Sequence, residues 1–412
     1  MALTAYDVKR HFERLLNPAV RSPDRTLLED IEGAAEYTAG SMREVSGIRV
    51  IDEGTVEIRL KEPKAFFLHL LALTPTAIAR LDMNGRLLGT GPYRLMGFEA
   101  DRILMERNPH YYRSGQPLVD TLEFQLLDSR QEALEHLKSG KVHVASFLYT
   151  QQAQAPGMED LQVIASATPS TAFVGLNLRE ALYDDVRVRQ AIRAGLDIAG
   201  LVEQFHPGAR IARSLTPPEL LQDMEPSPVG GPDVARAEQL LREAGVRTVP
   251  LTLYCAAGRD TSAEDKVLFR PLIEAGLLEL RHMELPPQEY TSRLREGKIP
   301  AFRTLWIADY PDPDNFLYFL LNSSAQTIYP LGYSNPELDK LTAEARVSID
   351  PELRQQLYKR AEKIFAQDCP LIPLYHDRIC AVAAPLVQGL RLHMTPPQVR
   401  YEDLWIDSDG AE

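Results

Sequence analysis

Between residues 249 and 375 strand-like and helix-like segments alternate, and this alternation restricts the fold more than any other feature of the sequence. Short apolar runs rich in Val, Ile, Leu and aromatic residues indicate strands, and apolar residues at helical spacing indicate the helices between them. The predicted strands are 249–254, 277–283, 302–307 and 371–375, and a predicted helix follows the first at 263–275. Such an order is typical of mixed α/β lobes that share one chain.

The length and charge of the chain restrict its class. At 412 residues the chain exceeds what one hydrophobic core usually serves, so two or more lobes are expected. The formal net charge of −13 argues against sequence-independent nucleic-acid binding, which needs a basic surface. No run of apolar residues approaches the length of a membrane span.

The cysteines give no sign of a metal or disulfide framework. Cys255, Cys369 and Cys380 are widely spaced and contain no C-x-x-C pair, so we expect three reduced, buried side chains. No metal or other cofactor is predicted.

Known hydrolase motifs are also absent. The sequence has no H-E-x-x-H helix and no G-x-S-x-G turn, and His376-Asp377 is predicted to be a surface pair. We therefore predict that the chain is not an enzyme. Chemistry by two carboxylates, as in glycosidases, leaves no sequence signature and stays open as an alternative.

Residues 301–321, A-F-R-T-L-W-I-A-D-Y-P-D-P-D-N-F-L-Y-F-L-L, are the most informative stretch for function. If 302–307 is a strand, Arg303 faces one way and Trp306 the other, and Asp309 and Tyr310 follow the strand end. An acid beside aromatic rings suits a ligand with a cationic head. The alternative is a strand and turn with a surface acid and a core tryptophan.

Several ordered motifs, taken together, resemble one family. They are the stretch above, G-T-G-P-Y at 89–93, D-V-R-V-R-Q-A-I at 185–192 and Y-S-N-P-E-L-D-K-L at 333–341. The chain resembles the family 5 extracellular solute-binding proteins, which are the peptide, dipeptide and nickel receptors of ABC importers, and the resemblance covers nearly all of it.

This resemblance implies an α/β fold, of the periplasmic-binding-protein-like, two-lobe type (class II or cluster C), with an additional small N-terminal subdomain. On the family's plan the small subdomain occupies 1–88, the main lobe 89–181 plus 384–412, and the second lobe 182–383. The family normally has residues before the L-T-A-Y-D-V that begins here at Leu3, so we expect a chain truncated at its N-terminus, with a weakened N-terminal lobe.

The family's ligand-binding residues can be carried over to this sequence. Asp309 matches the aspartate that holds a ligand α-amino group, Trp306 the aromatic beside it, and Arg303 an arginine that can meet a ligand carboxylate. Tyr310 and Tyr333 are added by position. Together these residues favour a short peptide, while nickel chelates, sugars and other cations stay open.

The resemblance also implies a receptor that captures its ligand in an inter-lobe cleft. Its partner would be an ABC transporter permease, the protein would be a monomer, and it would be periplasmic or extracellular. We expect no signal peptide at the start of these residues and no disulfide among the cysteines, and both expectations favour an alternative. The alternative is a cytoplasmic solute-sensing domain of a transcriptional regulator or kinase fusion.

Overall fold

The computed structural model describes residues 3–81, 87–148, 159–224, 231–326, 328–395 and 397–407. Among these residues, no helix is both long and apolar enough to cross a lipid bilayer.

Helices and strands are numbered here in chain order. The helices are α1 (Ala5–Leu16), α2 (Ala34–Thr38), α3 (Phe67–Leu71), α4 (Arg130–Lys138), α5 (Ala181–Asp184), α6 (Val186–Ala194), α7 (Ile198–Phe205), α8 (Val234–Glu243), α9 (Ser262–Glu274), α10 (Pro287–Arg295), α11 (Asp314–Leu321), α12 (Pro336–Val347) and α13 (Pro351–Asp368), with 3-10 turns at Pro23–Leu28 and Thr74–Thr76. The strands are β1 (Ile48–Asp52), β2 (Thr55–Ile58), β3 (Ala79–Leu81), β4 (Leu87–Gly89), β5 (Tyr93–Phe98), β6 (Arg102–Arg107), β7 (Thr121–Gln125), β8 (Val144–Leu148), β9 (Gln162–Ala167), β10 (Ser170–Leu176), β11 (Arg210–Ile211), β12 (Val249–Ala256), β13 (Leu278–Leu285), β14 (Ala301–Ile307), β15 (Leu371–His376), β16 (Arg378–Ala383), β17 (Val387–Gln388) and β18 (Trp405–Ile406).

The chain divides into two units. Unit 2 consists of Ala167–Ile379, and unit 1 contains the described residues before and after it in sequence. The family's plan placed the entry to the second lobe between residues 181 and 182, whereas unit 2 already contains β10 because that strand pairs with β14 and β15. The further division of the rest into a small subdomain and a main lobe stays a prediction.

Unit 2 is built on a six-stranded sheet in the order β11-β15-β10-β14-β12-β13. Its two faces are covered by two separate hydrophobic clusters. Leu305 packs against one, and Phe302, Trp306 and Ala308 belong to the other, as the alternation of β14 predicts. All seven residues of β10 are buried, because the strand lies inside the sheet and between both clusters.

Unit 1 is built from small sheets. Strands β1 and β2, β3 and β4, and β17 and β18 form two-stranded pairs, while β5-β6-β7 and β8-β16-β9 form three-stranded sheets. The helix α1 begins at a capping box, in which the backbone N–H of Thr4 donates to the Asp7 carboxylate over 3.0 Å.

Most helix ends follow local sequence signals. Asn335 and Asp350 cap α12 and α13 through side chains that accept backbone N–H groups, with proline at the first helical position of each helix. Asp233 caps α8 in the same way, and Gly245 follows that helix with a φ of +73°. Each of these helix starts and stops therefore coincides with a residue type that favours it locally.

One predicted helix is wrong. A cap at Asp184 or Asp185 and apolar residues at helical spacing predict a single helix through about Phe205, but the structure has two helices there, α6 and α7. Gly195 caps the end of α6 at a close approach, where an added Cβ would lie 2.2 Å from Cδ2 of Leu272. Asp197 then starts α7, with its side chain accepting the N–H of Gly200.

Candidate ligand-binding site

The loop that carries Asp309 and Tyr310 lies at one edge of the unit 2 sheet. Strand β12 runs parallel to both β13 and β14, so the loops after these strands meet at their shared carboxyl edge. In open α/β sheets, ligands bind outside this edge. The start of β10 also lies here, since Ser170 pairs with Ile307 and the N–H of Ala308 donates to Pro169 O over 2.8 Å.

Asp309 follows β14 at this edge and is exposed. Its backbone N–H donates to Oδ1 of Asn315 over 3.3 Å. The same amide oxygen accepts a hydrogen bond from Nε1 of Trp306 over 3.2 Å, and the Asn315 carbonyl oxygen lies 3.0 Å from that nitrogen. The structure therefore brings Trp306 and Asp309 together through one buried asparagine.

Other acids of the D-Y-P-D-P-D-N loop are buried and paired. Asp312 accepts two hydrogen bonds from Nη2 of Arg354, at 2.6 and 2.7 Å, and its Oδ1 also accepts the N–H of Asp314. Asp314 pairs with Arg346 and accepts a hydrogen bond from the Tyr310 hydroxyl over 2.7 Å. Burial raises the pKa of Asp312 and of Asp314, and the neighbouring arginines oppose this rise. These contacts tie the loop to α12 and α13.

Tyr310, one of the predicted site residues, is part of this internal network. It is 6% exposed, and burial together with the Asp314 carboxylate raises the pKa of its hydroxyl well above the usual value. In this structure Tyr310 therefore contributes to the support of the loop.

Arg303 lies on the opposite face of β14 from Trp306. Its guanidinium donates to Glu264 and to Asp265, each over 2.6 Å, and its side chain is 7% exposed. Burial lowers the pKa of Arg303, but the two carboxylates outweigh burial and the net change is upwards. A ligand carboxylate at Arg303 would have to compete with two protein carboxylates, so that role stays a prediction.

Tyr333 lies in a different network. Its hydroxyl donates to Oδ2 of Asp368 over 2.7 Å, and Nδ2 of Asn335 donates to the same oxygen over 2.8 Å. Burial and the Asp368 carboxylate raise the pKa of Tyr333. The contacts place Tyr333 at the end of α13, and its role as a ligand residue also stays a prediction.

Sequence reasoning missed Arg259, an exposed cation at the same sheet edge. It lies in the loop after β12, and none of the described residues accepts a hydrogen bond from its guanidinium or forms an ion pair with it. Its charge reaches Tyr290 and Tyr329, where it opposes the rise in pKa that burial causes. The Tyr329 ring in turn lies 6.0 Å from the Trp306 ring.

The side chains do not suggest a metal site. Within the ranges that the structure describes, no group of three or more His, Cys, Asp or Glu residues is arranged to hold an ion. Cys255, Cys369 and Cys380 are free thiols; the latter two are buried, and Cys255 is half-buried.

Comparison with known proteins places this geometry in a family. Residues 2–327 match the model of the bacterial extracellular solute-binding proteins, family 5 Middle. The chain is 28% identical to di/tripeptide-binding protein 2 of Pseudomonas aeruginosa (strain UCBPP-PA14), over 96% of this chain and 77% of that protein. It is 26% identical to the periplasmic oligopeptide-binding protein OppA of Salmonella typhimurium, over 94% of this chain and 76% of the relative.

A solved structure agrees with the fold. The ABC transporter-associated periplasmic binding protein DppA from Helicobacter pylori, in complex with the peptide STSA, matches with a TM-score of 0.77 at 21% identity, over 99% of this chain and 82% of the other. The predicted periplasmic-binding-protein-like α/β fold is confirmed, while the small N-terminal subdomain stays a prediction. The family consists of binding proteins, in agreement with the prediction that the chain is not an enzyme. This chain belongs to the bacterial extracellular solute-binding proteins of family 5.

Proposed function

We propose that this protein captures a short peptide at the carboxyl edge of the unit 2 sheet for import by an ABC transporter, with Asp309 receiving the peptide ammonium. One observation carries the proposal. Asp309 is an exposed acid on a loop whose following polar residues, Asp312, Asp314 and Asn315, are buried and hydrogen-bonded within the protein. A carboxylate held on a fixed support suits the binding of a small cation.

Peptide is the ligand class that the relatives' names support, since they include di/tripeptide- and oligopeptide-binding proteins. The indole of Trp306 is 8% exposed and its N–H is bonded to Asn315, so it offers a ligand only the small accessible part of its ring. An aromatic ring beside a carboxylate strengthens the binding of an ammonium group through its negative face.

The carboxylate end of the peptide has two candidate partners. Arg303 was predicted from the family resemblance, but it is buried and paired with Glu264 and Asp265. Arg259 is exposed at the same edge as Asp309, and among described residues it has no acidic partner. We assign the ligand carboxylate to Arg259, because binding there breaks no existing ion pair.

The site proposal extends to partners and compartment. We place the protein outside the cytoplasmic membrane, as a monomer that delivers its ligand to an ABC permease, and enclosure of the ligand in a cleft between lobes remains part of this proposal. The alternative is a cytoplasmic sensing domain. The natural reading frame before residue 1 would separate the two, since a receptor needs a signal sequence and a regulator needs a DNA-binding or kinase domain.

The test begins with a screen of pooled dipeptides and tripeptides by native mass spectrometry of the purified protein. The tightest peptide is then titrated calorimetrically as the free, N-acetylated and C-amidated forms. Asp309→Ala should weaken binding of the free peptide by about 5-fold or more, because a charge-assisted hydrogen bond to a desolvated ammonium is lost. Failure of any peptide to bind, or an unchanged affinity of Asp309→Ala, would overturn the proposal.

Two matched variants make the result specific. Asp260→Ala removes another exposed acid from the loop after β12, so it reports how much of the effect is a general loss of negative charge. Arg259→Ala should weaken the free peptide and leave the C-amidated peptide unchanged. If Arg303→Ala weakens only the free peptide and Arg259→Ala changes neither affinity, the ligand carboxylate binds Arg303 and not Arg259.

A further inference from the structure

A single buried amide joins the two residues proposed to hold the ligand ammonium. Asn315 lies in the first turn of α11 and is 1% exposed. Its Oδ1 accepts hydrogen bonds from the Trp306 indole at 3.2 Å and from the Asp309 backbone at 3.3 Å. The amide oxygen therefore sets the spacing between Trp306, near the end of β14, and Asp309, which follows the strand.

The rest of the loop is fixed elsewhere. Asp312 is held by Arg354 of α13, and Asp314 by Arg346 of α12 and by Tyr310. These pairs anchor the middle of the loop. None of these hydrogen bonds and ion pairs involves Trp306 or the Asp309 backbone. Asn315 supplies the link at the strand end, where the position of Asp309 is set.

The chemistry of the side chain suits this place. A neutral amide oxygen accepts two N–H groups without adding a negative charge beside Asp309 and Asp314, as an aspartate would. The Nδ2 atom of Asn315 is buried and makes no hydrogen bond of ordinary geometry. The Asn315 side chain also acts on the neighbouring Tyr310 hydroxyl, whose pKa it lowers against the larger effect of burial.

We propose that Asn315 is a positioning residue, which holds the Asp309 carboxylate and the Trp306 ring at the separation that an ammonium group requires; this inference rests on the proposed function. Without the amide, the N–H of Asp309 loses this acceptor, whereas the indole N–H keeps the backbone carbonyl of residue 315 at 3.0 Å, and the loop is then free to shift at Asp309 relative to the Trp306 ring. The resulting loss of affinity falls on ligands with a free ammonium, because only they use the Asp309 carboxylate.

The chain offers a matched control at the other end of the same helix. Asn322 follows α11, is 3% exposed, and its Nδ2 donates to Thr342 Oγ1 over 2.9 Å and to Asp339 O over 3.0 Å. Asn322→Ala deletes a buried amide of equal size from α11 without touching Trp306 or Asp309. It therefore reports the effect of lost helix anchoring alone.

The experiment uses the tightest peptide from the screen above and its N-acetylated form, titrated against the wild type, Asn315→Ala and Asn322→Ala. We expect the wild type to bind the free peptide at least about 10-fold more tightly than the acetylated one. Asn315→Ala should lower this ratio by about 5-fold or more, whereas Asn322→Ala should keep it within about 2-fold. Thermal unfolding of each variant shows that it is folded at the titration temperature.

A second readout needs no ligand. Hydrogen exchange of the Asp309 amide should be faster in Asn315→Ala than in the wild type and unchanged in Asn322→Ala, because the Asn315 side chain accepts that N–H and the Asn322 side chain does not contact it. A wild type that does not distinguish the two peptides would defeat the ammonium role of Asp309 itself. A wild type that distinguishes them, with the ratio retained in Asn315→Ala, would overturn the positioning role and leave the proposed function standing.

Discussion

Strand β10 of unit 2 and the sheet β5-β6-β7 of unit 1 differ sharply in burial. All seven residues of β10 are buried, whereas no residue of β5, β6 or β7 is. The unit 1 sheet has one apolar face, on which Leu95 pairs with Met105, and Phe98 with Ile103, but Phe98 is 70% exposed.

The difference shows where each unit obtains its stability. Hydrophobic stabilisation scales with the apolar area removed from water, so the large clusters on both faces of the unit 2 sheet support it strongly. The apolar residues of the sheet β5-β6-β7 remove little apolar area from water, so they add little to the free energy of unfolding. The candidate site is carried by the rigid sheet, as the binding of a small ligand by fixed groups requires.

The largest expected effect is on the unit 2 core. Phe173 of β10 is fully buried, with its ring 6.4 Å from Phe302 and 5.9 Å from Tyr329. Phe173→Ala should lower the free energy of unfolding of unit 2 by about 3–5 kcal/mol, because it leaves a cavity in a packed cluster.

The two tryptophans make this measurement specific to each unit. Trp306 lies in unit 2 and Trp405 in unit 1, so urea unfolding followed by fluorescence in Trp405→Phe and Trp306→Phe backgrounds reports the units separately. Phe173→Ala should shift the Trp306 transition much more than the Trp405 transition. Equal shifts would mean that the two units unfold as one and that their difference in burial has no consequence for stability.

A smaller effect concerns acid sensitivity in unit 2. His376 is 5% exposed, its Nδ1 lies 3.0 Å from Thr171 Oγ1 and 3.2 Å from Ser170 O, and burial lowers its pKa to about 4. The unfolded chain takes up this proton near pH 6.5, whereas the folded chain does not do so until about pH 4. Stability from His376 is therefore complete above pH 6.5 and is lost as the pH falls towards 4, by about 3 kcal/mol in total.

His376→Asn removes this titration. Between pH 7 and 4 the unfolding free energy from the Trp306 signal should fall less steeply in the variant than in the wild type, and the difference cancels contributions from other acids. Identical slopes would show that His376 takes up its proton at the same pH in the folded and the unfolded chain.

His376 also shows how far the sequence alone can predict the structure. It was predicted to lie at the surface with Asp377, and that prediction is wrong, because β15 ends inside the sheet where Thr171 of β10 meets it. Local signals predicted the alternating faces of β14 and the caps of α12 and α13. Contacts between segments distant in the chain have no such signal.

In the candidate site, too, some residues have a local sequence signal, whereas others are recognised only by contacts between distant parts of the chain. Asp309 and Trp306 could be proposed from the sequence because the strand end and its motif are local, and their ligand roles stay predictions. The pairing of Arg303 with Asp265 joins residues 38 apart, and nothing near either residue in the sequence reveals it. Asn315 looks like an ordinary helix start before an apolar run, and its bonds to Trp306 and Asp309 depend on how α11 returns to β14.

The smallest expected effect would complete the comparison. Phe98→Ala removes as many atoms as Phe173→Ala, but from a side chain that is 70% exposed on the unit 1 sheet. We expect the Trp405 transition to move by less than about 0.5 kcal/mol, because exposed side chains lose little on truncation. A loss approaching that of Phe173→Ala would mean that Phe98 is covered in solution, since only a buried ring has that much to lose.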